Sequence, residues 1–229
     1  MSYNKTKCDP ELGKQVHEHL VKMGVETPST PVMDRFGNTI ERKDRIEIIE
    51  HHFTKIMQTL GLDLSDDSLH ETPNRVAKMM VNETLWGLDY EAFPKCTTVQ
   101  NKMNYDEMIV EKDISVKSFC EHHILPFIGK AYIAYIPKDK VLGLSKMPRI
   151  TEYFSRRPQI QERLTEQIYY ALQYILGTDN IAITIVAEHT CVSLRGVEDN
   201  SANTTTTKLG GVFKNDSATR AEYFNHIYQ

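Results

Sequence analysis

The sequence is poor in the features that would send a chain into a membrane or out of the cell. No apolar run approaches the roughly 18 residues needed to cross a bilayer. The polar start from Met1 to Pro10 has none of a secretion signal's hydrophobic segment, so a cytoplasmic protein is expected. Charge of one sign is also missing: 31 acidic residues face 27 basic ones, a formal net charge of -4. That excludes a global attraction to nucleic acid or to an anionic membrane, and any phosphate-bearing ligand must be caught by a local cationic cluster. Cysteine is scarce and irregularly spaced, at Cys8, Cys96, Cys120 and Cys191, which fits thiols or metal ligands in a reducing compartment better than a disulfide framework. Cys8 and Cys96 have no His or Cys at ligand spacing and read as ordinary thiols. There is no internal repeat, no low-complexity stretch, no His-Glu-x-x-His of the common metalloproteases and no Pro-Cys-x-x-Cys of the nucleoside deaminases.

What is present is an ordinary globular composition, 229 residues of which 40% are hydrophobic, enough for one good core with a helical attachment. Asp9-Pro10 is a helix start and Gly24 a stop. The stretch from Thr27 to Pro31 has no period and reads as a connector. Ile46, Ile49, Phe53, Ile56, Met57 and Leu60 share one helical face, ended by Gly61. Thr72-Pro73, cap then first-turn proline, opens a third helix toward Trp86-Gly87. After Phe93-Pro94 the texture alternates, predicting strands at Met108-Ile109-Val110 and from Ile128 to Ile136. Ser145 is expected to cap a short helix through Phe154, and a longer helix after Pro158 carries Ile160, Leu164, Ile168, Leu172, Ile175 and Leu176 to Gly177. Ile181, Ile183 and Ile185 mark a further strand. Thr204 to Thr207 mark another, leading to Leu209-Gly210-Gly211-Val212-Phe213, and a helix from Ser217 to Ile227 closes the chain. This order predicts a segregated α+β fold, with a helical region over 1–95 and a catalytic domain over 96–229.

Chemistry concentrates in two places. Cys120-Glu121-His122-His123 sets a thiol and an imidazole three residues apart, a spacing at which a turn or distorted strand end points both at one ion, and Cys191 follows His189 at the end of a later strand. Two thiolates and one imidazole give a metal three ligands and leave a fourth position for water or substrate, the pattern of a catalytic centre. Spacing alone also admits a structural zinc closed by His122 or His189, or no metal at all. Neighbours on an extended chain point to opposite sides, which would leave His122 free to move protons while His123 binds. The same alternation in His189-Thr190-Cys191 would bring its outer side chains onto one face.

The run from Ser118 through Cys120-Glu121-His122-His123-Ile124-Leu125-Pro126-Phe127-Ile128-Gly129-Lys130 to Ala134-Tyr135-Ile136-Pro137 closely resembles GTP cyclohydrolase I. So do Gly143-Leu144-Ser145-Lys146 with Arg149, Arg156-Arg157 with Gln159 to Thr165, and His189-Thr190-Cys191-Val192 with Arg195-Gly196-Val197. The stretch Glu71-Thr72-Pro73 with Arg75 to Met79 is similar too, so the likeness covers roughly residues 45 to 225 in family order. The first 40 or so residues carry no diagnostic match.

That resemblance implies hydrolytic opening of the GTP imidazole ring to 7,8-dihydroneopterin triphosphate and formate, the entry to tetrahydrofolate-type pterins. It implies the tunnelling fold, an antiparallel ββααββ unit with an N-terminal helical region, in a ring-shaped homo-oligomer, a decamer with active sites between subunits. It implies one Zn2+ per subunit on Cys120, His123 and Cys191, with His122 and His189 as the catalytic acid–base pair. Glu162, with Gln161 nearby, is implied for guanine. Ser145, Lys146, Arg149 and Arg195 are implied for the triphosphate, with Arg75 and Lys78 reaching in from a neighbouring subunit. Another tunnelling-fold enzyme acting on a related purine or pterin, and a non-catalytic nucleotide-binding or metal-storage ring, are the competing readings.

Overall fold

A computed structural model describes residues 7–29 and 39–228. Thr30 and Pro31, the end of the expected connector, lie outside the described residues. Helix α1 (Pro10–Met23) begins where expected: the Asp9 carboxylate accepts from the Leu12 amide at 3.1 Å, Pro10 occupies the first turn, and Gly24 ends the helix at φ 71 in the left-handed region. Helix α2 (Arg42–Thr59) follows, then α3 (Thr72–Met79). The third helix is shorter than expected. It passes into a π-helical stretch, Met80–Thr84, and a 3-10 turn, Trp86–Leu88. Thr72 is not its cap, because the Thr72 amide already bonds to Leu69 O at 2.9 Å and Glu71 is helical, so no extended cap residue precedes the helix.

Two small strands, β1 (Thr98–Gln100) and β4 (Lys140–Leu142), pair with each other and are too short to leave a periodic signal. The main sheet is built from β2 (Ile109–Cys120), β3 (Pro126–Tyr135), β6 (Ile181–His189) and β7 (Thr204–Leu209), antiparallel throughout, with the two-residue β5 (Pro158–Gln159) added parallel to the end of β2. Strand β2 is far longer than Met108-Ile109-Val110 suggested. Its register shifts between Glu111 and Ile114, with Asp113 at φ 57, so Glu111-Lys112-Asp113 interrupts an alternation that resumes at Ile114.

Between β3 and β6 lie α4 (Lys146–Ser155) and α5 (Gln161–Leu176). After β6 come the helical turn α6 (Thr190–Ser193), then β7, α7 (Gly211–Asn215) and α8 (Ser217–Tyr228). The ββααββ order is therefore the observed one, β2-β3-α4-α5-β6-β7. Two local expectations change. Ser145 stands at the cap position of α4 but is itself helical, at φ -67 and ψ -1, and makes no side-chain cap bond. The stretch after Leu209 turns helical because Gly210 donates to Ile181 O and Val212 to the Asn180 side chain, ending the ladder.

One face of the sheet buries Ile114, Val116, Phe127, Ala131, Ile133, Ile183 and Ile185 against Leu164, Ile168 and Leu172 of α5 and Ile150 of α4, and Val16 and Leu20 of α1 join the same core. Part of the other face is covered at the Tyr135 end by Phe213 of α7 with Tyr223 and Ile227 of α8. At the opposite end none of the described residues covers that face, and Ile128 is 53% exposed.

Candidate active site

Antiparallel pairing decides what meets. The end of β2 at Cys120, the start of β3 at Pro126 and the end of β6 at His189 lie at one end of the sheet, through the pairs Phe119 with Pro126 and Phe127 with His189. β5 runs beside Phe119 and Cys120, so α5, which follows it, also begins there and delivers Gln161 and Glu162. Residues 70 positions apart in sequence thus share one corner.

Beyond Cys120 the chain turns sharply, with Ile124 at φ 55, its amide bonded to Cys120 O at 2.8 Å, and the Cys120 amide bonded to Leu125 O at 2.8 Å. Outside contacts pin this turn: the Glu121 amide donates to Gln159 O at 3.0 Å, and the Arg163 guanidinium holds the Glu121 carboxylate at 2.5 Å. Among the described residues, the ligand atoms of Cys120, His123 and Cys191 all lie within 4.8 Å of one another, a span that two metal–ligand bonds of about 2.0–2.3 Å nearly cover. Cys120 and His123 converge through the expected turn, whereas strand alternation does not bring in Cys191. His122 and His123 sit in the turn, their rings 6.4 Å apart, with His122 Nδ1 3.7 Å from Cys120 Sγ. Cys191 sits in the helical turn α6, which the Thr190 hydroxyl fastens to Pro126 O at 2.5 Å.

The donor set suits a soft divalent cation. The Cys191 thiol is pushed up in pKa, first by burial and then by the Cys120 sulfur beside it, an effect that a bound cation would reverse. Arg195 Nη1 lies 2.9 Å from His123 Nε2.

His189 is half-buried, stacked on Phe127 with centroids 4.5 Å apart and planes at 10°. Burial lowers its pKa, and the nearby carboxylate of the exposed Glu162 partly opposes this. Gln161 faces inward and is only 2% exposed. Its amide nitrogen donates to Ile185 O at 3.0 Å and Thr204 O at 2.9 Å, which turns its oxygen to His189 Nε2 at 2.8 Å. A closed set of bonds of this kind orients a histidine and leaves no amide group for a ligand.

The remaining expected residues are elsewhere. Ser145, Lys146 and Arg149 open α4, which follows the far end of β3. Helix α4 rises only about 14 Å from Lys146 to Ser155 before Arg157 O meets the Ser118 hydroxyl, so its opening turn stands roughly 15–20 Å from the Cys120 corner. There Lys146 and Arg149 act on Cys96, whose thiol burial pushes up to about 12 against their pull. Arg75 and Lys78 are exposed on α3, which packs against α2. Only Arg195, of the expected cations, is in contact with the thiol–imidazole group. The pairing of Glu121 with Arg163, the ring of Phe127 under His189 and the inward turn of Gln161 were missed from sequence; the register of β3 against β6 is the one signal that could have exposed the Phe127–His189 contact.

An α+β sheet carrying two thiols and an imidazole at one end, further histidines beside them and an exposed carboxylate next to one of these is the layout of an enzyme doing acid–base chemistry next to a cation-binding centre. A family model for GTP cyclohydrolase I matches residues 49–228. GTP cyclohydrolase 1 of Enterobacter sp. (strain 638) is 53% identical over 221 residues, covering 95% of this chain and 98% of that one. The protein of the same name from Salmonella arizonae is 52% identical with the same coverage. The chain belongs to the GTP cyclohydrolase I family. Among solved structures, a dihydroneopterin aldolase from Burkholderia thailendensis bound to guanine overlaps 48% of this chain and 97% of its own at 10% identity, with a TM-score of 0.30, a likeness too slight to carry weight.

Proposed function

We propose that this chain opens the imidazole ring of GTP with water, releasing formate and forming 7,8-dihydroneopterin triphosphate for tetrahydrofolate-type pterin synthesis. The observation that carries the reading is the meeting of Cys120, His123, Cys191, His189 and Glu162 at one corner of the sheet in a chain of this family. Cys120, His123 and Cys191 hold zinc, which thiolate and imidazole donors suit. When bound, zinc supplies a Lewis acid that brings the pKa of a water down to about 7.

The chain's own groups do the rest. Carbon C8 of guanine is a poor electrophile until N7 is protonated, and His189 is the proton donor. Gln161 keeps the Nε2 proton of His189 in a hydrogen bond, so exchange with substrate takes place at Nδ1. His122, exposed on the turn, moves protons as the ring opens and the formyl group leaves. The Glu162 carboxylate accepts from the guanine ring N–H and exocyclic amine together. Arg195 meets the triphosphate from the same chain.

Ser145, Lys146 and Arg149, at the opening turn of α4 away from this corner, complete the phosphate site from a second copy, with Arg75 and Lys78 contributed across a subunit boundary. Supporting this, neither the outer edge of β7 nor the β2 edge before Phe119 has a strand partner among the described residues, so copies can join edge to edge into a ring, here a decamer. The described residues contain no helix long and apolar enough to cross a membrane, and the described cysteines form no disulfide, which supports a cytoplasmic location. Incubating the purified protein with GTP and measuring formate, with fluorescent pterin after oxidation, tests the reading. GTP bound without formate overturns it.

A further inference from the structure

Behind the Cys120–His123 turn lies a buried polar cluster that the chemistry above does not use. Arg157 is 0% exposed. Its Nη1 donates to Glu26 Oε1 at 3.2 Å, Thr27 Oγ1 at 3.3 Å and Tyr90 OH at 3.4 Å, and its Nη2 to Gly87 O. The guanidinium lies 4.9 to 5.2 Å from the ring centroids of Tyr90, Tyr153 and Phe154. Two residues on, the Gln159 amide donates to Phe154 O at 2.9 Å and to Gln167 Oε1 at 2.7 Å. Gln167 in turn donates to Val25 O at 2.9 Å and Thr27 Oγ1 at 3.0 Å. The Thr27 oxygen is therefore where the Arg157 branch and the Gln167 branch meet.

The other side of this cluster is the backbone of β5 and the residue before it. Arg157 O accepts from the Ser118 hydroxyl at 3.4 Å, Pro158 and Gln159 pair with Phe119 and Cys120, and Gln159 O accepts the Glu121 amide at 3.0 Å. A strand of two residues cannot hold itself in register by ladder bonds alone. What holds it is the Arg157 and Gln159 side chains on either side of Pro158, and both are anchored on the segment leaving α1. That segment lies outside residues 49–228, where the family match runs.

We propose that Thr27, with Glu26, is a positioning residue for the metal turn: it fixes β5 through Arg157, Gln167 and Gln159, and β5 sets where Cys120 and the turn to His123 stand relative to Cys191. The inference rests on the reading of Cys120, His123 and Cys191 as the metal site. Outer contacts of metal ligands typically change affinity 10- to 100-fold, and one step further out the lower figure applies. Thr27→Val keeps the shape and removes the accepting oxygen, whereas Thr27→Ser keeps the oxygen and removes a methyl.

The test is titration of metal-free protein with Co2+ under a competing chelator, following the thiolate-to-cobalt absorption. Thr27→Val should bind cobalt about tenfold more weakly with a shifted band, and Thr27→Ser should match wild type in both. Val and Ser variants that behave alike would mean Thr27 serves packing only. Should Thr27→Val fail to fold, Gln167→Met breaks the same chain of bonds one step nearer and should weaken cobalt binding likewise; an undisturbed cobalt spectrum there overturns the proposal. A wild type with no thiolate-to-cobalt band would instead bring down the metal-site reading beneath it.

Discussion

Replacing Glu26 by Gln is the sharpest probe of what holds the helical region to the sheet. The pair it breaks is almost sealed: the Arg157 side chain is 1% exposed and that of Glu26 13%. Removing one partner of a buried pair leaves an uncompensated charge and typically costs 3–5 kcal/mol. Here the bonds to Thr27 Oγ1, Tyr90 OH and Gly87 O survive, as do the aromatic faces around the guanidinium. The expected loss is therefore at the lower end, about 3 kcal/mol, or a roughly hundredfold fall in the ratio of folded to unfolded protein. Urea unfolding at fixed protein concentration measures it, the concentration being held because assembly would otherwise add to apparent stability. The double variant Glu26→Leu with Arg157→Leu, which leaves no buried charge, should recover most of the loss. A loss below about 1 kcal/mol for Glu26→Gln would mean that water or another group neutralises Arg157, and the reasoning about this cluster would fail.

His189→Ala should leave metal content near the wild-type value while abolishing formate release; metal loss on elemental analysis would make His189 a ligand instead. Glu162→Gln should cut discrimination of GTP from ATP about 10- to 100-fold, the worth of a hydrogen bond to a charged group, and competition kinetics with unchanged selectivity would remove Glu162 from guanine recognition. Asp216 caps α8 by accepting from the Thr219 amide at 2.7 Å and hydroxyl at 2.6 Å, and these bonds lower its pKa. A depressed carboxylate stabilises the fold above its unfolded value, and the benefit is lost as pH falls through the folded value. The melting-temperature advantage of wild type over Asp216→Ala should accordingly be full at neutral pH, shrink below about pH 3.9, and vanish once the lowered folded value is passed; a pH-independent difference would contradict the cap.

The helices with strong punctuation were legible from residues alone. Asp9-Pro10 and Gly24 bound α1, and Gly177 stops α5 at φ 66 in the left-handed region, because capping and left-handed stops are local physics. Strand β2 was legible only in its first residues, since a bulge displaces the alternation on which strand reading depends. The thiol–imidazole group was legible as residue types and spacing, and the turn expected to bring Cys120 and His123 together is there, but the extended alternation expected of His189-Thr190-Cys191 is replaced by a helical turn. Gln161 was expected beside Glu162 at the guanine, and only the approach of β6 and β7 makes it the residue that orients His189. Arg156 and Arg157 are indistinguishable as letters. One is half-buried beside Glu152, and the other is buried because a carboxylate 131 positions away reaches it, which no local pattern encodes.

The separation between the Cys120 corner and the opening turn of α4 gives the chain a head and a tail. If each head is served by the next molecule's tail, the contact is of the non-reciprocal kind, in which one surface meets a different surface on its neighbour, and such contacts close into circles or run on as filaments. Every subunit then both lends half a centre and borrows half of another. A defect at one extremity silences only the centre to which that extremity belongs, so two chains crippled at opposite extremities can, when mixed, rebuild a working centre that neither possesses alone.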